Sequence, residues 1–247
     1  MSKLRNISLV IEYDGAGYHG WQCQPRVATL QETIQAGIGK ILNHAVKVYA
    51  AGRTDAGVHA LGQVINFFTE KTIDLASLMK ALNSILPADI RIKRACEVDQ
   101  SFHARYSAKS KSYVYCIYNA RYHSPFQMRY AWHIPYALNV PAMNEAVRQI
   151  IGTHDFSSFK KKNEAYKRHE REVLKAWVRR RGAFIYTLIE ATGFLRYMVR
   201  NIVGTLVLVG EARISENDFR VILDSRDRVN AGATAPPHGL FLRRIRY

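Results

Sequence analysis

The first hundred residues read as strands of period two alternating with helices of period 3.6. Ile7 to Tyr13 reads as a first strand, closed by the turn cluster Asp14-Gly15-Ala16-Gly17. From Thr29 to Leu42 the apolar residues Leu30, Ile34, Ile38 and Ile41 recur near a helical period. Thr29 and Glu32 stand three apart at its start, as a capping box requires. Val46 to Ala51 is a short strand, Val64 to Thr69 a second, and Leu75 to Leu86 a helix stopped by Pro87. Ile90 to Val98 completes this run.

Beyond it, Tyr113 to Asn119 alternates again, and Arg121 to Pro135 is looser and carries two prolines. A helix starts at Pro141, its stripe of Met143, Val147, Ile150 and Ile151 reading as core. Val173–Val178 and Phe184–Ala191 form a hairpin through Arg181-Gly182. Leu195 to Val209 is a strongly apolar helix interrupted by Arg196, Arg200 and Asn201, Ser215 to Leu223 a shorter one, and a last strand follows Gly239. The pattern is an α/β (α+β) chain of two halves, 1–105 and 106–247, each of strands interleaved with two helices.

Charge changes this picture more than composition does. Close to half of the 247 residues are hydrophobic, which excludes a disordered chain. But 36 Lys and Arg against 20 Asp and Glu leave a formal charge of +16. A field of that sign captures polyanions, so nucleic acid is the leading partner and an anionic membrane surface the second. Ten of the cations fall between Lys160 and Arg181, against Glu164, Glu170 and Glu172. Such runs are usually solvated faces; this one starts at Lys160-Lys161-Lys162 and continues through Lys167-Arg168, where it can follow a phosphate backbone. Cys23, Cys96 and Cys116 are odd in number and form no Cys-x-x-Cys, so a disulfide framework and a zinc site are not expected. Each reads as a small core residue in a reducing cytoplasm. No apolar run reaches membrane-spanning length.

Candidate chemistry gathers at Ala51-Gly52-Arg53-Thr54-Asp55-Ala56-Gly57-Val58-His59-Ala60. Gly52 and Gly57 allow a sharp turn after the preceding strand. Asp55 follows Arg53 by two residues, which in an extended segment puts both side chains on one face. A guanidinium there favours the ionised carboxylate, and an oriented carboxylate on a loop between rigid elements can serve as a nucleophile. An Asx turn, in which Asp55 merely bonds backbone amides, fits the same residues. Phe102-His103-Ala104-Arg105 and the Tyr113-x-Tyr115 strand mix cations with rings, which suits stacking on bases as well as packing on a half-buried sheet.

The run Ala51–Ala60 resembles the signature of the TruA family of tRNA pseudouridine synthases. Similar to that family, too, are Gly20-Trp21-Gln22, the Phe-His-Ala-Arg segment with its Tyr-x-Tyr strand, Met198-Val199-Arg200-Asn201-Ile202-Val203-Gly204, and Ala231 to Leu242, the last with variation from position 237. The resemblance covers essentially the whole chain. It implies a pseudouridine synthase fold: a mixed, mostly antiparallel sheet flanked by helices, in two similar halves around a central cleft. It implies Asp55 as catalytic nucleophile, Arg200 and Arg53 as partners of that carboxylate, Tyr113 stacked on the target base, and Leu240 against the uracil face. Trp21 is either a buried structural ring or an RNA contact. The implied reaction turns uridine into pseudouridine at positions 38, 39 and 40 of the tRNA anticodon stem-loop, in a cytoplasmic homodimer, with no cofactor, metal or membrane. The alternative is a non-catalytic protein binding structured RNA. A carboxylate glycosidase acting on nucleic acid would need a second acid, and none stands near Asp55.

Overall fold

A computed structural model of the chain describes residues 4–164 and 168–247. It falls into two compact units, one running to Lys109 and including Leu242–Tyr247, the other Ser110–Phe241. The expectation for Lys167 lies outside the described residues.

The first unit holds β1 (Arg5–Tyr13), α1 (Leu30–Leu42), β2 (Tyr49–Ala50), β3 (His59–Thr69), α2 (Leu75–Ile85) and β4 (Ile90–Val98). β1 runs antiparallel between β3 and β4, with Leu9 opposite Ile65 on one side and Ala95 on the other. Ile7, Leu9 and Ile11 are fully buried, as their alternation requires. The opposite face of β1 is covered as well: Asn6 is buried and donates to Asp99 O and Phe102 O (both 2.9 Å). Asn66 Nδ2 donates to Asn6 Oδ1, and Asn66 Oδ1 accepts from Ala104 N (2.9 Å each). This buried amide pair fixes the Phe102–Ala104 segment from the sheet side.

α1 buries Leu30, Ile34, Ile38 and Leu42, a strict four-residue spacing that bypasses Ile41. Its expected capping box does not form. Thr29 is the N-cap, yet its hydroxyl is buried without a partner among the described residues. The first helical N–H groups, of Leu30 and Gln31, go instead to Gly20 O (3.2 Å) and Trp21 O (3.0 Å). Those carbonyls dock the 20–22 segment onto the helix N-terminus, so the orphan donors are met by main chain.

The second unit holds β5 (Ser110–Tyr118), β6 (Trp132–His133), α3 (Val140–Arg148), β7 (Gly152–Asp155), β8 (Glu170–Arg181), β9 (Phe184–Ala191), α4 (Met198–Gly210) and α5 (Glu216–Ser225). Its strand order is β5-β9-β8-β7, antiparallel throughout, with β6 parallel on β5. The final strand, β10 (Leu240–Arg246), neighbours β3. Mixed α/β architecture and mostly antiparallel strands are as expected; among the described residues the α-helices number two in the first unit and three in the second, not two in each.

Three further expectations are corrected. α3 ends at Arg148, and Ile151, placed in its core stripe, is exposed at 44% beyond the helix. α4 begins at Met198 rather than Leu195, because Tyr197 sits in the left-handed region (φ 67°) and breaks the helical path. Among the cysteines only Cys116 is buried, its thiol pushed up to about 12 by desolvation; Cys96 is half-buried and Cys23 exposed. Cys23 lies in the loop before α1, which has no core to offer it. Around α4 the second core is dense: Phe159 and Phe219 are fully buried and stack at 5.7 Å.

Candidate active site

The loop carrying Asp55 is fastened at both ends by buried groups of the first unit. Ala51 N–H donates to Val64 O (2.8 Å) and Gln63 Nε2 to Gly52 O (2.7 Å), so β3 holds the entry. Thr54, immediately before Asp55, is nearly buried; its carbonyl accepts from Trp21 N (3.0 Å) and its hydroxyl meets Tyr13 Oη (2.9 Å). Asp55 O accepts from Val58 N (3.2 Å), and Gly57 takes a left-handed φ of 75° while Gly52 does not. Asp55 itself is half-buried and Arg53 exposed, on either side of Thr54. Trp21 is 2% exposed, and its ring lies 6.1 Å from that of Tyr13. Its place is therefore structural, beneath the loop.

His59, the ninth residue of the run, is buried where β3 begins. Its Nδ1 stands 3.1 Å from Gly15 N and 3.0 Å from Asp14 Oδ1. A neutral Nδ1 accepts from the Gly15 amide, whereas a protonated one donates to the Asp14 carboxylate; either form ties the Asp14-Gly15 turn to the loop exit. The residues around Asp55 are thus set by β1, β3 and the 20–22 segment together. Burial pushes the Tyr13 hydroxyl well above the usual phenol range, against the pull of its bond to Thr54. We expect Tyr13→Phe to cost about 1–2 kcal/mol in urea unfolding, the penalty for stranding a buried hydroxyl.

Tyr113, Arg200 and Leu240 belong to the second unit. Tyr113, on β5, is 8% exposed and packs edge-on against Phe194 at 5.0 Å. Tyr115, two residues on and so on the same face, is fully buried and donates to Pro236 O (2.8 Å). Its hydroxyl is raised above the phenol range by burial, with the positive Arg200 acting in the opposite sense. Arg200, in the first turn of α4, donates from Nε to Ala235 O (2.7 Å), while Ala235 N donates back to Arg200 O (3.1 Å). Its guanidinium lies 4.9 Å from the Tyr197 ring centre. Burial, then the nearby Arg200, hold His238 below the ordinary imidazole range. Leu240, buried, follows the short 3-10 turn Pro237–Gly239.

Within this unit, then, Arg200, Tyr115 and the 235–240 segment meet. Tyr115 could be anticipated as the second ring of the Tyr-x-Tyr alternation. Tyr197 could not, since nothing in the local sequence marks a residue that breaks a helix by its φ. Part of the basic run is the solvated face of β8, where Lys175, Arg179, Arg180 and Arg181 are exposed. None of the described helices is long and apolar enough to cross a membrane.

Comparison with known proteins places similarity over nearly the entire chain. The family model described as tRNA pseudouridine synthase matches residues 9–107 and 146–247, which include Arg53, Asp55, Arg200 and Leu240 and leave out Tyr113. A tRNA pseudouridine synthase A of Thermoanaerobacter sp. (strain X514) is 48% identical over 244 residues, 99% of this chain and 100% of that protein. One of Acetivibrio thermocellus is 43% identical over the same shares. One of Moorella thermoacetica is 45% identical over 98% of this chain and 99% of that protein.

Proposed function

The chain belongs to the tRNA pseudouridine synthase family, and from that membership we propose that it isomerises uridine to pseudouridine in tRNA, at positions 38, 39 and 40 of the anticodon stem-loop. The observation that carries this reading is the similarity over 99% of the chain, because it takes in the fastened Asp55 loop along with the first turn of α4. In the reaction the N1–C1′ bond of uridine breaks, the ring turns, a C5–C1′ bond forms, the C5 proton leaves to water and N1 takes up a proton. No electrons and no group are imported, so the chemistry calls for no cofactor.

Asp55 is the nucleophile. Whether it adds to the ring or displaces at C1′, its carboxylate must be ionised and held in one direction, and a loop fastened on both sides serves that need. Arg53 and Arg200 keep the carboxylate ionised and aimed or hold the extruded nucleotide, Tyr113 stacks on the base, and Leu240 lies against the uracil face. Extruding a base costs a few kcal/mol, which phosphate contacts to a chain of charge +16 offset. Shape of the stem-loop, more than base edges, sets the choice of substrate. The protein works in the cytoplasm as a homodimer; the exposed rings of Tyr122, Phe126 and Tyr136 offer apolar surface for such contacts.

The test is tritium release. With tRNA tritiated at uracil C5, the protein is expected to release tritium and to leave pseudouridine at positions 38 to 40. If the wild-type protein binds tRNA but releases none, it is an RNA-binding protein and the enzymatic reading is wrong.

A further inference from the structure

Beside α4, the second unit contains an open pocket of about 470 Å³ lined by Lys161, Lys162, Tyr197, Arg228, Val229 and Thr234. Three of the six lining residues are cations and none is an acid. Arg228 is half-buried, and its guanidinium donates to Ala231 O (3.1 Å), Asn201 Oδ1 (3.1 Å) and Thr234 Oγ1 (3.2 Å). All three acceptors are neutral. They fix the plane of the fork without balancing its charge. Burial lowers the Arg228 pKa somewhat, as desolvation of a cation should.

Tyr197 gathers cations around the same place. The Lys161 ammonium lies 5.8 Å from its ring centre, the Arg196 guanidinium 5.4 Å and that of Arg200 4.9 Å. The ring face attracts each cation, while like charges brought together repel one another. In the pocket itself, an anion held between Lys161, Lys162 and Arg228 turns their mutual repulsion into attraction. The cations come from three separate stretches, the 160–162 loop, the start of α4 and the 228–234 segment, so the site is built by the fold rather than by one charged run.

We propose that the Lys161–Lys162–Tyr197–Arg228 pocket binds a phosphodiester of the substrate RNA backbone. The inference rests on the function proposed above, and adds to it where a phosphate of the RNA is held. The charge fits phosphate in general. A backbone phosphodiester is favoured over a free ion because the pocket is open and wider than one phosphate group, with the half-buried Tyr197 ring in its lining available to a neighbouring ribose or base.

The test uses the full chain and a synthetic anticodon stem-loop RNA, with affinity measured across a range of salt. Lys161→Ala/Lys162→Ala is expected to weaken binding about tenfold near physiological salt and to flatten the log–log salt slope by about one to two. Arg228→Gln is expected to act in the same direction; should it fail to fold, the lysine pair carries the test, since neither lysine lies in the core. Lys80→Ala, exposed on α2, controls for net charge and should leave the slope as it is. A scan of single neutral methylphosphonates through the RNA should find one or two positions that cost the wild type affinity and cost the double lysine variant nothing more.

An unchanged slope in the double variant, or penalties that add at every position, overturns the proposal. Inorganic phosphate separates the sources: if it raises the melting temperature of the wild type but not of the double variant, while the RNA slope stays the same, the pocket holds a free anion and the RNA assignment is wrong. Tritium release by the wild type with unaltered slopes in the variants refutes the pocket alone. Absence of release by the wild type refutes the reaction instead.

Discussion

Asp55→Asn is expected to lower tritium release from tRNA by about 10⁴-fold or more, the scale on which losing a covalent nucleophile is felt. Asparagine is the informative replacement because it keeps the size of the side chain and an acceptor oxygen. If Asp55 only stabilised its turn, the amide would serve almost as well, since Asn and Asp both suit Asx turns. The loop is also fastened by others: Thr54 to Tyr13 and Trp21, Ala51 to Val64, Gly52 to Gln63. The variant should therefore melt close to the wild type and still bind tRNA, so that loss of turnover reports on chemistry. Asp55→Ala should behave alike in turnover. Wild-type rates in the asparagine variant would remove Asp55 from the reaction, and with it the reason for reading Arg53 and Arg200 as its partners.

What the sequence disclosed and what it hid divide along a physical line. β1, α1 and β4 were legible because each turns an apolar face to the core, and such a face imprints a period on its own residues: Ile7, Leu9 and Ile11, or Leu30, Ile34 and Ile38. The Asp55 run was legible because turn residues, a cation and a carboxylate stand within ten consecutive positions. Features made by distant segments left no such imprint. Thr29 and Glu32 spell a capping box, but the carbonyls of Gly20 and Trp21 reach the helix end first. Leu242–Tyr247 belong to the first unit, in a pairing of chain end with β3 that no local period encodes. Tyr197 is set apart by its backbone and by the ammonium of the remote Lys161.

Gly204→Ala is expected to destabilise the protein by about 3 kcal/mol, and to reduce kcat/KM of whatever remains folded. The sign is opposite to the usual one. Inside a helix, alanine is favoured over glycine by about 1 kcal/mol. Here a Cβ on Gly204 would lie 1.7 Å from Ala233 O and 3.4 Å from Ala235 N, both backbone atoms of the segment laid against α4. Gly232 faces it from the other side, its own added Cβ 2.8 Å from Gly204 O. Glycine on both partners is what lets these two backbones touch. Because the obstruction is main chain, no rotamer relieves it, and the segment must move away. That movement strains Gly232 N to Thr205 Oγ1 (2.9 Å), Thr234 Oγ1 to Asn201 Oδ1 (2.7 Å) and the two bonds between Arg200 and Ala235. Arg200 and the residues leading to Leu240 shift with it, so the catalytic defect should exceed the loss of folded protein measured by urea unfolding. A Gly204→Ala protein as stable as the wild type would mean that α4 and the 231–235 segment do not pack this closely, and that Arg200 owes its direction to something else.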